Sequence, residues 1–240
     1  MTSITVAITT MRRFSGFLES SLPKVLNYPW VNYVMIGDET GEDIDQIKLQ
    51  PWGSNPKFIF IKNPERLGAY HNKLNLLKNV TTDWVALIDS DNDLNTQYFI
   101  ALFDYWKANG FNRRAVYMPA GVMVFNSDTK DSFTPIDRLG NSTVTNMTWN
   151  SFINCAPSAG TALNLGNCVF PGDVYNSLSE NYSKDVSVEC KVMSRDLVVK
   201  GYTLIFVPDM KYIHIVHGGS LYLSNREEME KYDRETKWEI

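Results

Sequence analysis

Four short apolar runs rich in β-branched and aromatic residues constrain this chain most: ITVAIT from Ile4, VNYVMI from Val31, KFIFI from Lys57 and WVALI from Trp84. Between the last two runs, Leu67, Tyr70, Leu74 and Leu77 recur at helical spacing, and Phe99, Leu102, Phe103 and Trp106 do so after them. Strand and helix therefore alternate over residues 1–110. Such alternation predicts βαβ units and an α/β fold with a mostly parallel sheet covered by helices on both faces. The helix after the first run is the least regular, because Pro23 interrupts it.

The pattern changes from Ala115. AVYMPAGVMVF reads as two short strands broken at Pro119 to Gly121, and Asn126 to Asn167 is dense in Ser, Thr, Asn, Asp and Gly, as expected of loops over an active face. A helix is predicted from near Ser187 to Lys200, stopped by Gly201 and followed by the strands TLIFV and KYIHIV. The charged tail REEMEKYDRETKW reads as a solvated helix.

The 240 residues suit one domain spanning 1–240. A net charge of -4 argues against an extended nucleic-acid partner. Three cysteines, Cys155, Cys168 and Cys190, leave one unpaired under any disulfide scheme, which favours a reducing, cytoplasmic setting. ITVAIT is too short to span a membrane and the charges Arg12 and Arg13 follow it, so no transmembrane segment or leader is expected. The sequons at Asn141 and Asn146 then read as accidental.

The WVALI run leads directly into DSDNDLN, with Asp89, Asp91 and Asp93 on alternate positions. In open α/β sheets ligands bind beyond the carboxyl ends of the strands, which is where these acids fall. Gathering carboxylates there raises the cost of ionising them, and a hard divalent ion relieves it. Mg²⁺ or Mn²⁺ takes one or two carboxylates and completes its shell with phosphate and water. A bland alternative is a capping loop, with Asn95 or Thr96 starting the next helix. An EF-hand is excluded, because its Gly and Glu positions hold Leu94 and Ile100. A haloacid-dehalogenase-type phosphatase also puts D-x-D after an apolar strand, normally the first strand, and normally wants Thr or Val where Asp93 stands.

The resemblance that extends furthest is to the family-two glycosyltransferases of the GT-A fold. VAITTMRRFSGFLESSLPKVLNYPWVNYVMIGDETGED is similar to their opening, and NPERLGAYHNKLNLLKNVTTDWVALIDSDNDL to their helix, apolar strand and D-x-D. GNCVF resembles their acceptor-side Gly-Asn segment, and KGYTLIFVPDMKYIH their Gly-Tyr, Val-Pro-Asp, His ending.

The resemblance implies a metal-dependent glycosyltransferase that takes a nucleotide sugar, most simply a UDP-sugar, and passes the sugar to a carbohydrate or glycoconjugate acceptor. Residues 1–110 would form the nucleotide-sugar half and 111–240 the acceptor half. Asp91 would be the direct metal ligand. Asp89 would orient the ribose or a metal-bound water, and Asp93 would be auxiliary. Thr9, Thr10 and Ser90 would surround the nucleotide, and Asp38 would accept from the base, its bland alternative being a turn former in GDETGED. Arg66 and Lys73 would be candidates for the pyrophosphate, with Gly68 and Asn72 facing the same side, and His71 would be a variant of the family's Arg. His214 and His217 would be candidate further metal ligands. Cys190 stands where inverting members keep an Asp base, so Glu189, Asp185 or Asp173 would have to serve instead, or no base would be needed in a retaining enzyme. The acceptor pocket would draw on Asn126 to Asn167 and Asp173 to Glu189, with Trp149 a candidate to stack on a sugar. The competing readings are the phosphatase and a catalytically silent nucleotide-sugar binder. A nucleotidyltransferase lacks support, since TTMRRFSG carries no glycine-rich basic loop.

Overall fold

The computed structural model describes residues 2–93, 95–126, 131–132, 136–137, 143–144, 167–182 and 189–216. The four apolar runs become β1 (Ile4–Thr10), β2 (Val31–Asp38), β3 (Phe58–Lys62) and β4 (Trp84–Asp89). They pair in parallel in the order β3-β2-β1-β4. Near-continuous burial along β1 and β4 is what a strand covered on both faces requires.

Alternate side chains of these strands feed two cores. Ile4, Val6, Ile8, Trp84, Ala86 and Ile88 meet α1 (Glu19–Leu26), α2 (Glu42–Lys48) and α4 (Thr96–Asn109). Ala7, Met35, Val85 and Leu87 meet α3 (Ala69–Lys78) and α5 (Glu189–Val199) on the other face. The helix after β1 forms despite Pro23, entered through a π-helical turn at Phe14–Leu18. Asn95 caps α4 by accepting from the Tyr98 N–H at 3.0 Å, as the sequence suggested.

Beyond β4 the sheet continues through β10 (Asn167–Pro171), β6 (Ala115–Asn126), β11 (Thr203–Val216) and the two-residue β5 (Asn92–Asp93). β10 runs antiparallel to β4, whereas β11 runs parallel to β6. The sheet is thus mixed but mostly parallel. Two expectations need correction. The pairs of short strands expected at 115–125 and 203–216 are two single long strands, because pairing of β6 with β11 carries both across their prolines, the register slipping once between Val207 and Lys211. Within the loop-rich region, Asp131–Ser132 and Ile136–Asp137 pair with β6 as β7 and β8, and Thr143–Val144 pairs with β11 as β9. Gly201 ends the turn after α5 at φ +79, the left-handed stop the sequence called for. Among the described residues Cys168 and Cys190 are not joined in a disulfide, and no helix is long and apolar enough to cross a membrane.

Candidate active site at the carboxyl edge of the sheet

Register brings the sequence candidates together. Thr9 of β1 lies between Gly37 of β2 and Asp89 of β4, and Thr10 lies opposite Asp38. The loop that carries Asp91 then returns as β5, whose Asn92 and Asp93 pair with His214 and Ile213 of β11. One edge therefore presents Thr9, Asp89 and Ser90, with Asp91 in the turn and His214 alongside.

The acids of GDETGED divide their work. Asp38 is fully buried: one oxygen accepts from the Thr40 N–H at 3.0 Å and the other from the Ile44 N–H at 3.0 Å, so both serve the turn into α2. Asp43 accepts from the Thr10 hydroxyl and from the N–H groups of Arg13 and Phe14, and so shapes the loop after β1. Thr10 is thereby turned to the protein. Glu42 pairs with the exposed Arg12, which leaves Glu39. It takes the Leu67 N–H at 2.7 Å, and its buried Oε1 has no hydrogen-bond partner. Burial raises its pKa, against the Leu67 and Gly68 amides and the exposed Arg66 guanidinium, which pull it down. The sequence pointed to Asp38 and passed over Glu39 and Asp43. The signal available was the D-x-T spacing of Asp38 and Thr40, which marks an Asx-type turn that consumes the first carboxylate.

α3 packs on the sheet through Asn72, which donates to the Gly37 carbonyl at 3.1 Å and accepts from Asn63 at 2.9 Å. Asn72 is 2% exposed and faces the protein, not a ligand. His71 likewise meets the Tyr182 carbonyl at 2.7 Å. Lys73, on the same helix, is also 2% exposed; its Nζ lies 2.9 Å from Asp89 Oδ1 and 3.1 Å from Glu189 Oε1. Its pKa stays well above the ordinary lysine value because the charges of Asp89, Cys190 and Glu189 outweigh its burial. Burial pushes the Asp89 carboxyl up to about 6, opposed by Lys73 and assisted by Asp91 and Glu189.

Two carboxylates, Asp89 and Glu189, thus meet on one ammonium, and Asp91 is close enough to Asp89 to disfavour its ionisation, leaving an excess of negative charge for a cation to neutralise. Among the described residues no three His, Cys, Asp or Glu side chains are close enough to cage an ion unaided. A hard ion that keeps water and phosphate oxygens in its shell needs only one or two carboxylates, so the residues present fit Mg²⁺ or Mn²⁺ held jointly with a diphosphate. His214 Nδ1 lies 3.0 Å from Asn92 Oδ1. Asp93 is instead paired with Lys24 at 3.2 Å.

Asp173 is not brought to this edge. β10 runs from Asn167 beside Ile88 to Pro171 beside Trp84, which puts Asp173 at the opposite end of β4, ~16 Å away by strand rise. There it lines a cleft of about 430 Å³ with Ser3, Lys78, Asp83, Arg113 and Tyr175. Asp185, His217 and Trp149 lie outside the described residues.

Residues 6–156 match the family model described as glycosyl transferase family 2. No curated protein matches the sequence. Among solved structures, S. aureus TarS 1-349 in complex with UDP-GlcNAc has a TM-score of 0.69 at 13% identity, over 97% of this chain and 64% of that one. GalNAc-T7 with UDP, GalNAc and Mn²⁺ gives 0.66 at 15% identity, over 98% and 48%. The mannosyltransferase PcManGT from Pyrobaculum calidifontis in complex with GDP-Man and Mn²⁺ gives 0.61 at 16%, over 98% and 65%. The chain spans between about half and two thirds of the length of these structures. At such identities the likeness is one of fold, and it agrees with the GT-A architecture expected from the sequence.

Proposed function

The chain belongs to glycosyl transferase family 2, and from that premise we propose that it transfers a glycosyl group from a nucleotide-sugar donor, a UDP-sugar, to a hydroxyl of a carbohydrate acceptor with the help of Mn²⁺. The observation that carries this reading is the meeting of Asp89 at the end of β4 with Glu189 at the start of α5, two carboxylates from distant parts of the chain on one buried ammonium, with Asp91 beside Asp89. UDP is favoured because it or its sugar occupies two of the related structures, and Mn²⁺ because it accompanies the nucleotide in two.

In this reading Asp91, with Asp89 beside it, holds the metal, and His214, brought alongside by the pairing of β5 with β11, is the nitrogen that joins them. A bound divalent ion supplies Lewis-acid stabilisation to the charge that grows on the departing diphosphate. Thr9 and Ser90 line the nucleotide. Glu39, with its unpartnered oxygen, accepts the N–H of the base, since the Asp38 carboxylate is spent on backbone. The exposed Arg66 approaches the phosphates. Glu189 is the general base: Lys73 holds its Oε1, so the acceptor proton passes to Oε2 as the new C–O bond forms and the bond to the diphosphate breaks. A base acting in one displacement implies inversion at the sugar carbon.

The phosphatase alternative needs an Asp nucleophile on the first strand, but Asp89 ends the fourth strand in chain order and is tied to Lys73. The test is a panel of nucleotide sugars with Mn²⁺, following release of nucleotide diphosphate. One donor is expected to be hydrolysed slowly, with at least ~100-fold loss in Asp91→Ala, the scale on which removing an electrostatic contact to the transition state acts. Metal-dependent binding without turnover across a broad acceptor panel supports the silent binder, and hydrolysis of simple phosphate esters supports the phosphatase.

A further inference from the structure

A lysine whose ammonium is almost fully enclosed is costly to bury unless its hydrogen bonds are met by opposite charge. Lys73 is enclosed to that degree, and it was expected among the groups that touch the donor phosphates. The geometry removes it from that role. Its Nζ is engaged by Asp89 Oδ1 at 2.9 Å and by Glu189 Oε1 at 3.1 Å, with Cys190 Sγ at 4.0 Å on the third side. A point charge so surrounded, 2% exposed, has no direction left in which to meet a phosphate.

The two carboxylates it joins come from separate structural units. Asp89 is the last residue of β4, fixed by its place opposite Thr9. Glu189 is the first residue of α5, 116 positions after Lys73, so its carboxylate depends on how the helix start is held. Lys73 itself lies in the middle of α3, a helix pinned to β2 through Asn72 and Gly37 and to the segment before α5 through the Tyr70 hydroxyl on the Ser179 carbonyl at 2.6 Å. A methionine or leucine here would fill the same space without burying charge. What the ammonium adds is a fixed distance between the carboxylate on the donor side and the one on the acceptor side.

We propose that Lys73 is a positioning residue for transfer: it spans Asp89 and Glu189 and thereby sets the acceptor-side base against the donor-bound edge of the sheet, without touching either substrate. The proposal rests on the transferase reading above. Its consequence is a division of effects. Donor binding depends on the edge of β1, β2 and β4 and should be indifferent to Lys73; the transfer step, which needs Glu189 in line with the acceptor hydroxyl, should not. A displacement of about 1 Å at a reacting group is worth roughly 100-fold in rate.

The experiment compares the wild-type protein with Lys73→Met, Lys73→Arg and Lys73→Gln. Three quantities are read: the Mn²⁺-dependent affinity for UDP, and kcat and KM for hydrolysis or transfer with the donor that the panel identifies. The expected result for Lys73→Met is UDP affinity and donor KM within about threefold of wild type and kcat lower by roughly 100-fold. Lys73→Arg, which keeps the charge on a longer, planar head, should recover part of that loss. If Lys73→Met fails to fold, Lys73→Gln carries the same comparison. The proposal is overturned if kcat is unchanged, if UDP affinity falls in step with kcat, or if Lys73→Arg is no better than Lys73→Met. Failure of the underlying reading looks different: the wild-type protein itself then neither binds UDP with Mn²⁺ nor turns over any nucleotide sugar.

Discussion

The Asp89 carboxyl is held where ionising it is costly, at about 6 against an ordinary 3.8, chiefly through burial. Because the folded value is raised, the fold favours the protonated acid. The cost is absent below pH 3.8, grows as pH rises from about 4 to 6, and is fully present above that. In chelator, Asp89→Asn removes this pH-dependent cost together with a counter-charge of the buried Lys73, so its stability relative to wild type should rise as pH goes from 4 to 7, while activity is lost. Urea unfolding of both proteins at pH 4, 5, 6 and 7 measures this; a difference that does not grow with pH contradicts it. The carboxylates at this position were legible in the sequence, because an apolar strand that ends in acids announces a sheet edge. Lys73 was not. A lysine one turn into a helix has solvent as its default, and only the packing of α3 and α5 on one face reveals that its partners are Asp89 and Glu189. Asp38 and Glu39 show the same limit: adjacent acids look equivalent in sequence, and the backbone of the turn decides which keeps an open oxygen.

At the level of elements, the alternation of apolar runs and helical faces was enough to place β1 to β4 with α3 and α4, because β1 and β4 are buried on both sides and each helix has one apolar stripe. It was not enough for β6 and β11. The sequence reads a break at Pro119 to Gly121 and separate strands TLIFV and KYIHIV, but parallel pairing between β6 and β11 carries each through its proline with one slip of register. α3 comes close to β2 at Gly37, where an added Cβ would lie 2.8 Å from both Asn72 Oδ1 and Leu76 Cγ. Gly37→Ala should then cost about 1–3 kcal/mol through overpacking. Gly16→Ala, where the added atom meets nothing within 4 Å, is the control and should be near neutral. Denaturant midpoints measure both; equal midpoints would mean that α3 is not seated against β2 as described.

Across the described residues, two packed cores fix a sheet whose carboxyl edge collects Thr9, Glu39, Asp89 and Asp91 with Glu189 of α5. Asp173, an equally plausible acid in sequence, is carried to the far edge by the antiparallel run of β10. Topology thus selects among acids that composition leaves equal. The family match covers residues 6–156, the donor-side strands included, while the chain spans only part of the length of the related structures. The claim that joins these levels is that the acids after β4 hold a metal together with a nucleotide diphosphate. Calorimetric titration of UDP into the protein, with Mn²⁺ and with chelator, tests it most directly. The account predicts binding that requires Mn²⁺ and weakens at least ~10-fold in Asp91→Ala, about 1.4 kcal/mol. UDP binding that is equally tight in chelator, or unaffected by Asp91→Ala, would contradict it.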